Sequence, residues 1–193
     1  MKSILIIQGH PDSAEPHFCH ALASAYGEGA VSAGHTVHTI DLARHDIPLL
    51  RSKREWETET PPEFVKDGQE KILAADHIVF LYPLWLGTMP ALMKAWLEHV
   101  LRPNFAFDID SGPGWTANLK GRSARVVVTM GMPAAAYRWF FLAHSLKSFE
   151  RNILKFSGIR PVRWSLIGMV DAKNSAGREA WLKQMKADGA AAR

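Results

Sequence analysis

Two histidines, His10 and His17, stand between a short apolar run at residues 3–7 and a helical pattern that begins near Phe18. A helix that starts directly after a strand presents unpaired N–H groups and the positive end of its dipole, and imidazole groups add hydrogen-bond donors. The spacing therefore predicts a phosphate-binding loop. An ordinary strand-to-helix connection with solvated histidines gives the same pattern. A metal site that also uses His20 is disfavoured, because the loop offers no further ligand at a recognised spacing.

The segment between Pro83 and Pro90 is the second candidate for a binding surface. It follows a nearly all-apolar run at residues 77–82, which is typical of a strand buried on both faces of a sheet. Because proline cannot donate to a sheet ladder, the chain must leave the sheet at Pro83. The side chains that follow form a suitable wall for a flat ring: Leu84, Trp85 and Leu86. The same side chains would also suit a plug of the core or a dimer interface.

The elements that must position these loops are strands that alternate with helices. The strands are predicted from apolar runs at residues 3–7, 36–40, 77–82, 124–130 and 162–170. The alternation predicts an α/β fold with a doubly wound, five-stranded parallel sheet in the flavodoxin-like order 2-1-3-4-5. That order brings the carboxyl ends of strands 1, 3 and 4 together. The loops that begin at His10, Pro83 and Thr129 should therefore line one crevice.

The composition predicts a single globular domain over residues 1–193 in the reducing cytoplasm. With 47% apolar residues and only Cys19 as a cysteine, the chain is not a disulfide scaffold. A signal peptide and membrane insertion are not expected, because no apolar run is long enough. The net charge is +4, but the basic residues are scattered. This distribution disfavours nucleic-acid binding, whereas a mild positive field suits a phosphorylated cofactor.

Three common motifs are absent from the sequence. No G-x-G-x-x-G follows the first strand, and neither G-x-x-x-x-G-K-[ST] nor G-x-S-x-G occurs. A dinucleotide-binding Rossmann domain, a P-loop NTPase and an α/β-hydrolase are therefore disfavoured. Since no nucleophile is paired with a base, any chemistry would fall to an organic cofactor.

A loop at residues 102–115, rich in glycine and proline, carries the aromatic residues Phe105, Phe107 and Trp115. They would cover a pocket or a subunit seam, or form a satellite cluster beneath the loop. Further along, Ser175 is predicted to cap a helix that carries Trp181, Leu182 and Met185, and the tail at residues 187–193 is expected to fray.

The chain resembles the flavodoxin-like NAD(P)H:quinone oxidoreductases, the flavin-dependent group that includes DT-diaphorase and the potassium-efflux ancillary reductases. The resemblance covers nearly the whole chain, and the segment from Pro83 to Lys94 is its most specific part. The motifs that carry it, in the expected order, are Gly9-His10-Pro11, Tyr82-Pro83-Leu84-Trp85, Gly87-Thr88-Met89-Pro90-Ala91-Leu92-Met93-Lys94, Phe105-Ala106-Phe107, Leu119-Lys120-Gly121 and Thr129-Met130-Gly131.

This resemblance implies noncovalently held FMN, or FAD as the alternative, with NAD(P)H as hydride donor and a quinone-like acceptor. It also implies a homodimer with active sites at the subunit seam. The residues that would hold the flavin phosphate and ribityl chain are His10, His17 and Phe18. Those that would surround the isoalloxazine are Pro83, Leu84, Trp85, Leu86, Thr129, Met130 and Gly131. Tyr137 and His144 would face the substrate as catalytic proton donors, and Phe105 and Phe107 would reach across the seam.

The implied reaction is a two-electron, ping-pong transfer in which NAD(P)H reduces flavin N5 and leaves before the quinone takes its place. Backbone N–H groups near Thr129 would stabilise the reduced flavin. Pro16 and Cys19 depart from the Ser and Asn that are common in the phosphate loop of relatives, so backbone donors would have to serve there.

Two other functions remain open. One is a regulatory flavin- or nucleotide-binding module that acts on a partner such as a potassium-efflux transporter. The other is a small electron carrier of the flavodoxin type, which is disfavoured because carriers are usually acidic and this chain is basic.

Overall fold

The computed structural model describes residues 1–109, 114–172 and 174–193. The strands are β1 (Ser3–Gln8), β2 (Thr36–Asp41), β3 (His77–Pro83), β4 (Phe107–Asp108), β5 (Thr116–Ala117), β6 (Ser123–Thr129) and β7 (Val162–Ile167). The α-helices are α1 (Phe18–Ser32), α2 (Lys53–Glu57), α3 (Glu63–Ala74), α4 (Ala91–Val100), α5 (His144–Ser148) and α6 (Ser175–Ala190). Wider helical turns of the π type occupy Ala136–Phe140 and Phe149–Leu154.

Five parallel strands form the main sheet in the order β2-β1-β3-β6-β7. This arrangement confirms the predicted flavodoxin-like order 2-1-3-4-5. Every residue of the central strand β3 is buried, as its nearly unbroken apolar sequence predicts for a strand covered on both faces. The short strands β4 and β5 pair antiparallel in a separate ribbon.

Two hydrophobic layers cover the two faces of the sheet. One layer packs α1 and α6 against Ile4 and Ile6 of β1. The other packs α3, α4 and the helical segment after residue 144 against Leu5 and Ile7 of the same strand. Alternate residues of β1 therefore supply opposite layers, as the period of two in a strand requires.

Helices α1 and α6 approach each other so closely that their contact depends on glycine. A Cβ atom on Gly29 would lie 2.0 Å from the carbonyl oxygen of Lys186, and one on Gly189 would lie 2.0 Å from that of Tyr26. Both distances are far inside van der Waals contact. The bare backbones of these glycines therefore set the spacing of the two helices.

The expectation of a frayed tail is wrong. Helix α6 continues to Ala190, because Asp188 is buried and binds two guanidinium groups, those of Arg125 and Arg193. The predicted cap at Ser175 is wrong: the N-cap is Asn174, whose side chain accepts a hydrogen bond from the amide of Gly177, and Ser175 is the first residue of the helix. The predicted fifth strand ends at Ile167 rather than at residue 170.

Part of the predicted aromatic loop, residues 110–113, lies outside the described residues. Among those that are described, no helix combines the length and the apolar character that a membrane crossing needs.

Candidate functional site

A cleft of about 420 Å³ lies at the carboxyl ends of β1, β3 and β6, where the crevice was predicted. Its volume falls within the range of ligand pockets. We call it the strand-end cleft. Its lining residues are His10, Pro16, His17, Phe18, Cys19, Pro83, Leu84, Trp85, Thr129, Met130, Gly131, Val170, Asp171 and Arg178. Nine of the ten residues predicted to hold a cofactor are in this set.

Main-chain hydrogen bonds tie the loops of the strand-end cleft to one another. The amide of Gly9 donates to the carbonyl of Leu81 at 2.7 Å, and the amide of Leu84 donates to that of Thr129 at 2.7 Å. A Cβ atom on Gly9 would lie 2.7 Å from the sulfur of Met93 and 3.1 Å from the carbonyl oxygen of Leu81, so a side chain at this crossing would have to displace Met93. The first loop is thereby held against the end of β3 and the underlying helix α4.

The histidines form one end of the strand-end cleft. The rings of His10 and His17 stack with centroids 3.8 Å apart, and His17 Nε2 lies 2.8 Å from the carboxylate of Asp12. Burial and the neighbouring His17 lower the pKa of His10. The hydrogen bond with His17 lowers the pKa of Asp12. Beside the rings, the first amides of α1 have no carbonyl partner within the helix, so this end favours an anion.

Arg178 completes the anion-binding end from the opposite side of the cleft. It lies near the start of α6, donates to the carbonyl of Val170 at 3.1 Å, and places its guanidinium 5.6 Å from the ring centre of Phe18. Sequence reasoning missed Arg178, Val170 and Asp171. A signal was present, because β7 is next to β6 in the predicted order and its carboxyl end must therefore open near the same crevice.

An apolar wall forms the other end of the strand-end cleft from Pro83, Leu84 and Trp85. The Trp85 ring meets His10 edge-on at 6.0 Å between centroids. Trp85 and Thr88 exchange two backbone hydrogen bonds, which close a tight turn. Leu86 and Gly87 form its tip with φ values of 46° and 79°. Leu86 is therefore fully exposed and does not line the cleft, unlike the rest of its predicted group.

Cys19 points away from solvent and serves the packing beneath the first loop. Its sulfur lies 3.3 Å from the side-chain oxygen of Gln8, and burial raises the thiol pKa to about 12. Cys19 is therefore protonated and unreactive at neutral pH. Since neither Pro16 nor Cys19 offers a polar side chain to the cleft, an anion there would rely on backbone amides, histidines and Arg178.

The amides near Thr129 are less available than predicted. The amide of Met130 donates to the carbonyl of Ile167 at 2.9 Å, and the carbonyl of Thr129 accepts from Leu84. Gly131 keeps its amide unengaged as far as the described residues show. A Cβ atom at Gly131 would meet the Asp171 carboxylate at 3.2 Å, so this glycine borders the narrow side of the cleft.

The predicted catalytic and substrate-binding residues do not line the strand-end cleft. We call Phe105, Phe107, Tyr137 and His144 the acceptor-side residues. Tyr137 is 2% exposed, and its hydroxyl lies 2.7 Å from Ser145 Oγ and accepts the amide of Leu146 at 3.2 Å. His144 is exposed at the start of α5.

Phe105 and Phe107 pack into the hydrophobic layer beneath α4. Phe107 is 6% exposed, and its ring lies 4.9 Å from Phe156 and 6.1 Å from Trp56 between centroids. It borders a second, apolar cavity of about 740 Å³ on that side of the molecule. In one chain, then, Phe107 is buried, whereas Phe105 is half-buried and packs against the same hydrophobic layer.

The described residues contain no group of histidine, cysteine and carboxylate side chains with the geometry of a metal site. The rings of His10, His17 and His20 pack against one another.

Comparison with known proteins places this geometry among proteins of one fold family. Residues 2–188 match the family described as having a flavodoxin-like fold. A Haemophilus influenzae protein named as an uncharacterized NAD(P)H oxidoreductase is 28% identical over 183 residues, which cover 93% of this chain and 90% of that protein. The glutathione-regulated potassium-efflux system ancillary protein KefG of Escherichia coli is 42% identical over 81 residues, or 41% of each chain.

Among solved structures, the NAD(P)H:quinone oxidoreductase of Methanothermobacter marburgensis superimposes with a TM-score of 0.85. It is 25% identical in sequence, and the match covers 98% of both chains.

Proposed function

This chain belongs to the family of proteins with the flavodoxin-like fold, and on that premise we propose that it is a flavin-dependent NAD(P)H:quinone oxidoreductase. The observation that carries the proposal is the strand-end cleft, in which an anion-binding end faces an apolar aromatic wall. A phosphorylated cofactor with a flat ring system needs both ends at once. The relatives named for NAD(P)H oxidation support the same reaction class.

The residues of the strand-end cleft fit FMN. His10, His17, Arg178 and the first amides of α1 would hold the phosphate, because they combine hydrogen-bond donors with the positive charge of Arg178. Pro83, Leu84 and Trp85 would pack against the flat ring, and the amide of Gly131 would donate to its polar edge. We favour FMN over FAD, since about 420 Å³ is a modest volume for a second nucleotide half.

When bound, the flavin supplies two-electron transfer between NAD(P)H and an acceptor such as a quinone. The chain's own residues orient the ring and shield one of its faces from water. The exposed turn at Leu86 and Gly87 borders the open side, where a flat substrate would enter. Tyr137 and His144 stay as predicted proton donors to the acceptor.

A homodimer would complete the acceptor site, which a single chain does not assemble. The acceptor-side residues do not converge on the strand-end cleft, and three consecutive apolar side chains after Trp139 are exposed: Phe140, Phe141 and Leu142. An exposed apolar stretch of this kind commonly marks an interface. We propose that a second copy covers it and completes the acceptor site.

We also propose that the protein acts in the cytoplasm, because the reaction consumes NAD(P)H.

The test is the visible absorption of the purified protein, followed by anaerobic addition of NADPH or NADH and then of a simple quinone. We expect flavin bands that bleach with the nucleotide and return with the quinone. Gel filtration with light scattering measures whether the active species is a dimer. A colourless protein that takes up neither FMN nor FAD would overturn the proposal.

The regulatory function is the second candidate, because KefG is an ancillary protein of a potassium-efflux system and shares 42% identity with part of this chain. A regulator would bind flavin or nucleotide but turn over slowly. Steady-state NAD(P)H oxidation with quinone separates the two functions: sustained turnover supports the reductase, and bound flavin without turnover supports the regulator.

A further inference from the structure

A groove of about 780 Å³ runs along the outer edge of the sheet, away from the strand-end cleft. Five consecutive residues of β7, Val162 to Leu166, line it. Successive side chains of a strand point to opposite faces of the sheet, so a groove on one face would be lined by every second residue only. Because five consecutive residues line this groove, its floor is the edge of β7 itself. One wall is the segment from Ala134 to Trp139, and the other is the face of α6 that carries Trp181 and Asp188. We call it the β7-edge groove.

The backbone on this floor has free hydrogen-bonding groups at every second residue. Within the described ranges, strand β7 pairs with β6 and with no other strand. The carbonyls of Pro161 and Ile167 accept the amides of Ala124 and Met130, each at 2.9 Å, so the odd-numbered residues of β7 face β6. The even-numbered residues therefore turn their N–H and C=O groups into the groove: Val162, Trp164 and Leu166. Such an alternating row of donors and acceptors is a template for another strand.

The β7-edge groove is strongly basic. Four arginines and one aspartate line it: Arg125, Arg138, Arg163, Arg193 and Asp188. Asp188 alone serves two of the guanidiniums, at 3.3 Å from Arg125 and 3.2 Å from Arg193. The exposed Arg138 and Arg163 form no salt bridge within the described ranges. The groove thus carries excess positive charge above a strand edge.

The two faces of β7 differ in chemistry and so fix the pattern of a partner strand. Arg163 and Ser165 point to the face that α6 covers, where Ser165 accepts a hydrogen bond from Arg125. Val162, Trp164 and Leu166 point to the other face and pack against the large hydrophobic layer. An added strand would place alternate side chains beside these two rows.

We propose that the β7-edge groove binds an extended acidic segment of a partner protein as a sixth strand of the sheet. The segment alternates carboxylates, which face Arg163 and its neighbours, with apolar side chains, which face Trp164 and Leu166. A second copy of this chain is the wrong occupant, because edge-to-edge pairing of two copies would bring their unpaired arginines together. The proposal does not depend on flavin binding or on turnover.

Three labelled peptides test the proposal by fluorescence anisotropy on the full chain. The first alternates valine and glutamate, the second alternates valine and lysine, and the third is the valine–glutamate peptide with every second backbone nitrogen methylated. We expect the first to bind, the second to show no measurable binding, and the third to bind at least roughly ten-fold more weakly, or about 1.4 kcal/mol. Equal binding of the first and third would overturn strand addition, since charge alone would then explain the affinity.

Charge-reversing variants provide the matched control. Arg163→Glu should weaken the valine–glutamate peptide by roughly ten-fold or more, whereas Arg151→Glu changes the net charge equally at an exposed site outside the groove and should leave binding unchanged. Circular dichroism checks that both variants fold. Equal weakening by the two variants would overturn the proposal, as would failure of the wild-type chain to bind the first peptide at millimolar concentration. A dimer that Arg163→Glu dissociates would instead identify a second copy as the occupant and likewise overturn it.

Discussion

The strand-end cleft and the acceptor-side residues differ in how completely one chain assembles them. The cleft is made by loops that leave neighbouring parallel strands, and hydrogen bonds between Gly9 and Leu81 and between Leu84 and Thr129 lock these loops together. The acceptor-side residues come from two long connections and end in the core or on the surface. Sheet topology alone therefore builds the proposed cofactor site, whereas the proposed acceptor site needs a further contribution, which we propose to be the second copy.

The variant Phe107→Ala is expected to have the largest effect, and it tests whether Phe107 belongs to the core or to the acceptor site. If Phe107 is a core residue, removing its ring should lower the free energy of unfolding by about 3–5 kcal/mol and leave the KM for quinone nearly unchanged. Urea denaturation and steady-state kinetics measure the two effects. Leu73→Ala is the control, because Leu73 is 54% exposed on α3 and its loss should hardly affect stability. A stable Phe107 variant with a raised KM would place this ring at the acceptor site.

A smaller effect is expected on the cofactor side from His17→Ala. The variant removes one side-chain donor at the anion-binding end and should weaken FMN by roughly ten- to a hundred-fold, or about 1.5–3 kcal/mol. Fluorescence quenching of FMN during titration gives the dissociation constant. His38→Ala, at an exposed position of β2, is the control and should bind FMN as the wild type does. Unchanged affinity in His17→Ala would remove the histidines from the phosphate site.

The smallest effect is expected from Tyr137→Phe, because the Tyr137 hydroxyl is occupied by Ser145 and by the amide of Leu146. We expect about 1 kcal/mol less stability from the lost hydrogen bonds. Quinone turnover of the double variant Tyr137→Phe, His144→Ala then tests proton donation separately. Full turnover would remove both residues from the mechanism, and a large loss would mean that the acceptor site recruits them.

The central strands and the strand-end cleft were predictable because their signals are local. The runs that became β1, β3 and β6 each contain at least three consecutive apolar residues, and the right-handedness of parallel crossovers limits the ways in which such strands can be connected in one sheet. The loops that follow these parallel strands must all lie at the carboxyl ends of the strands, on the same side of the sheet. His10, Pro83 and Thr129 meet there for that reason.

Other features depend on contacts between distant residues, which no local pattern reveals. Phe107 looks like a loop aromatic, but Trp56 and Phe156 enclose it. The tail looks like an alanine-rich end, but Asp188 anchors it through Arg125 of β6. In the sequence Arg178 is simply a charged residue of a polar helix. The packing of α6 against α1 places it beside Phe18 and the cleft.

The close approach of α1 and α6 also has a consequence for folding kinetics. Lys186 and Glu28 face each other across this contact although 158 positions separate them in the chain. Forming such a contact requires closure of a very long loop, which slows folding and leaves the apolar side of α1 uncovered in the meantime. During synthesis, α1 cannot pack against α6 until α6 has left the ribosome. The strand-end cleft likewise lacks Arg178 until then. The last wall of the predicted flavin site is therefore also the last piece to arrive.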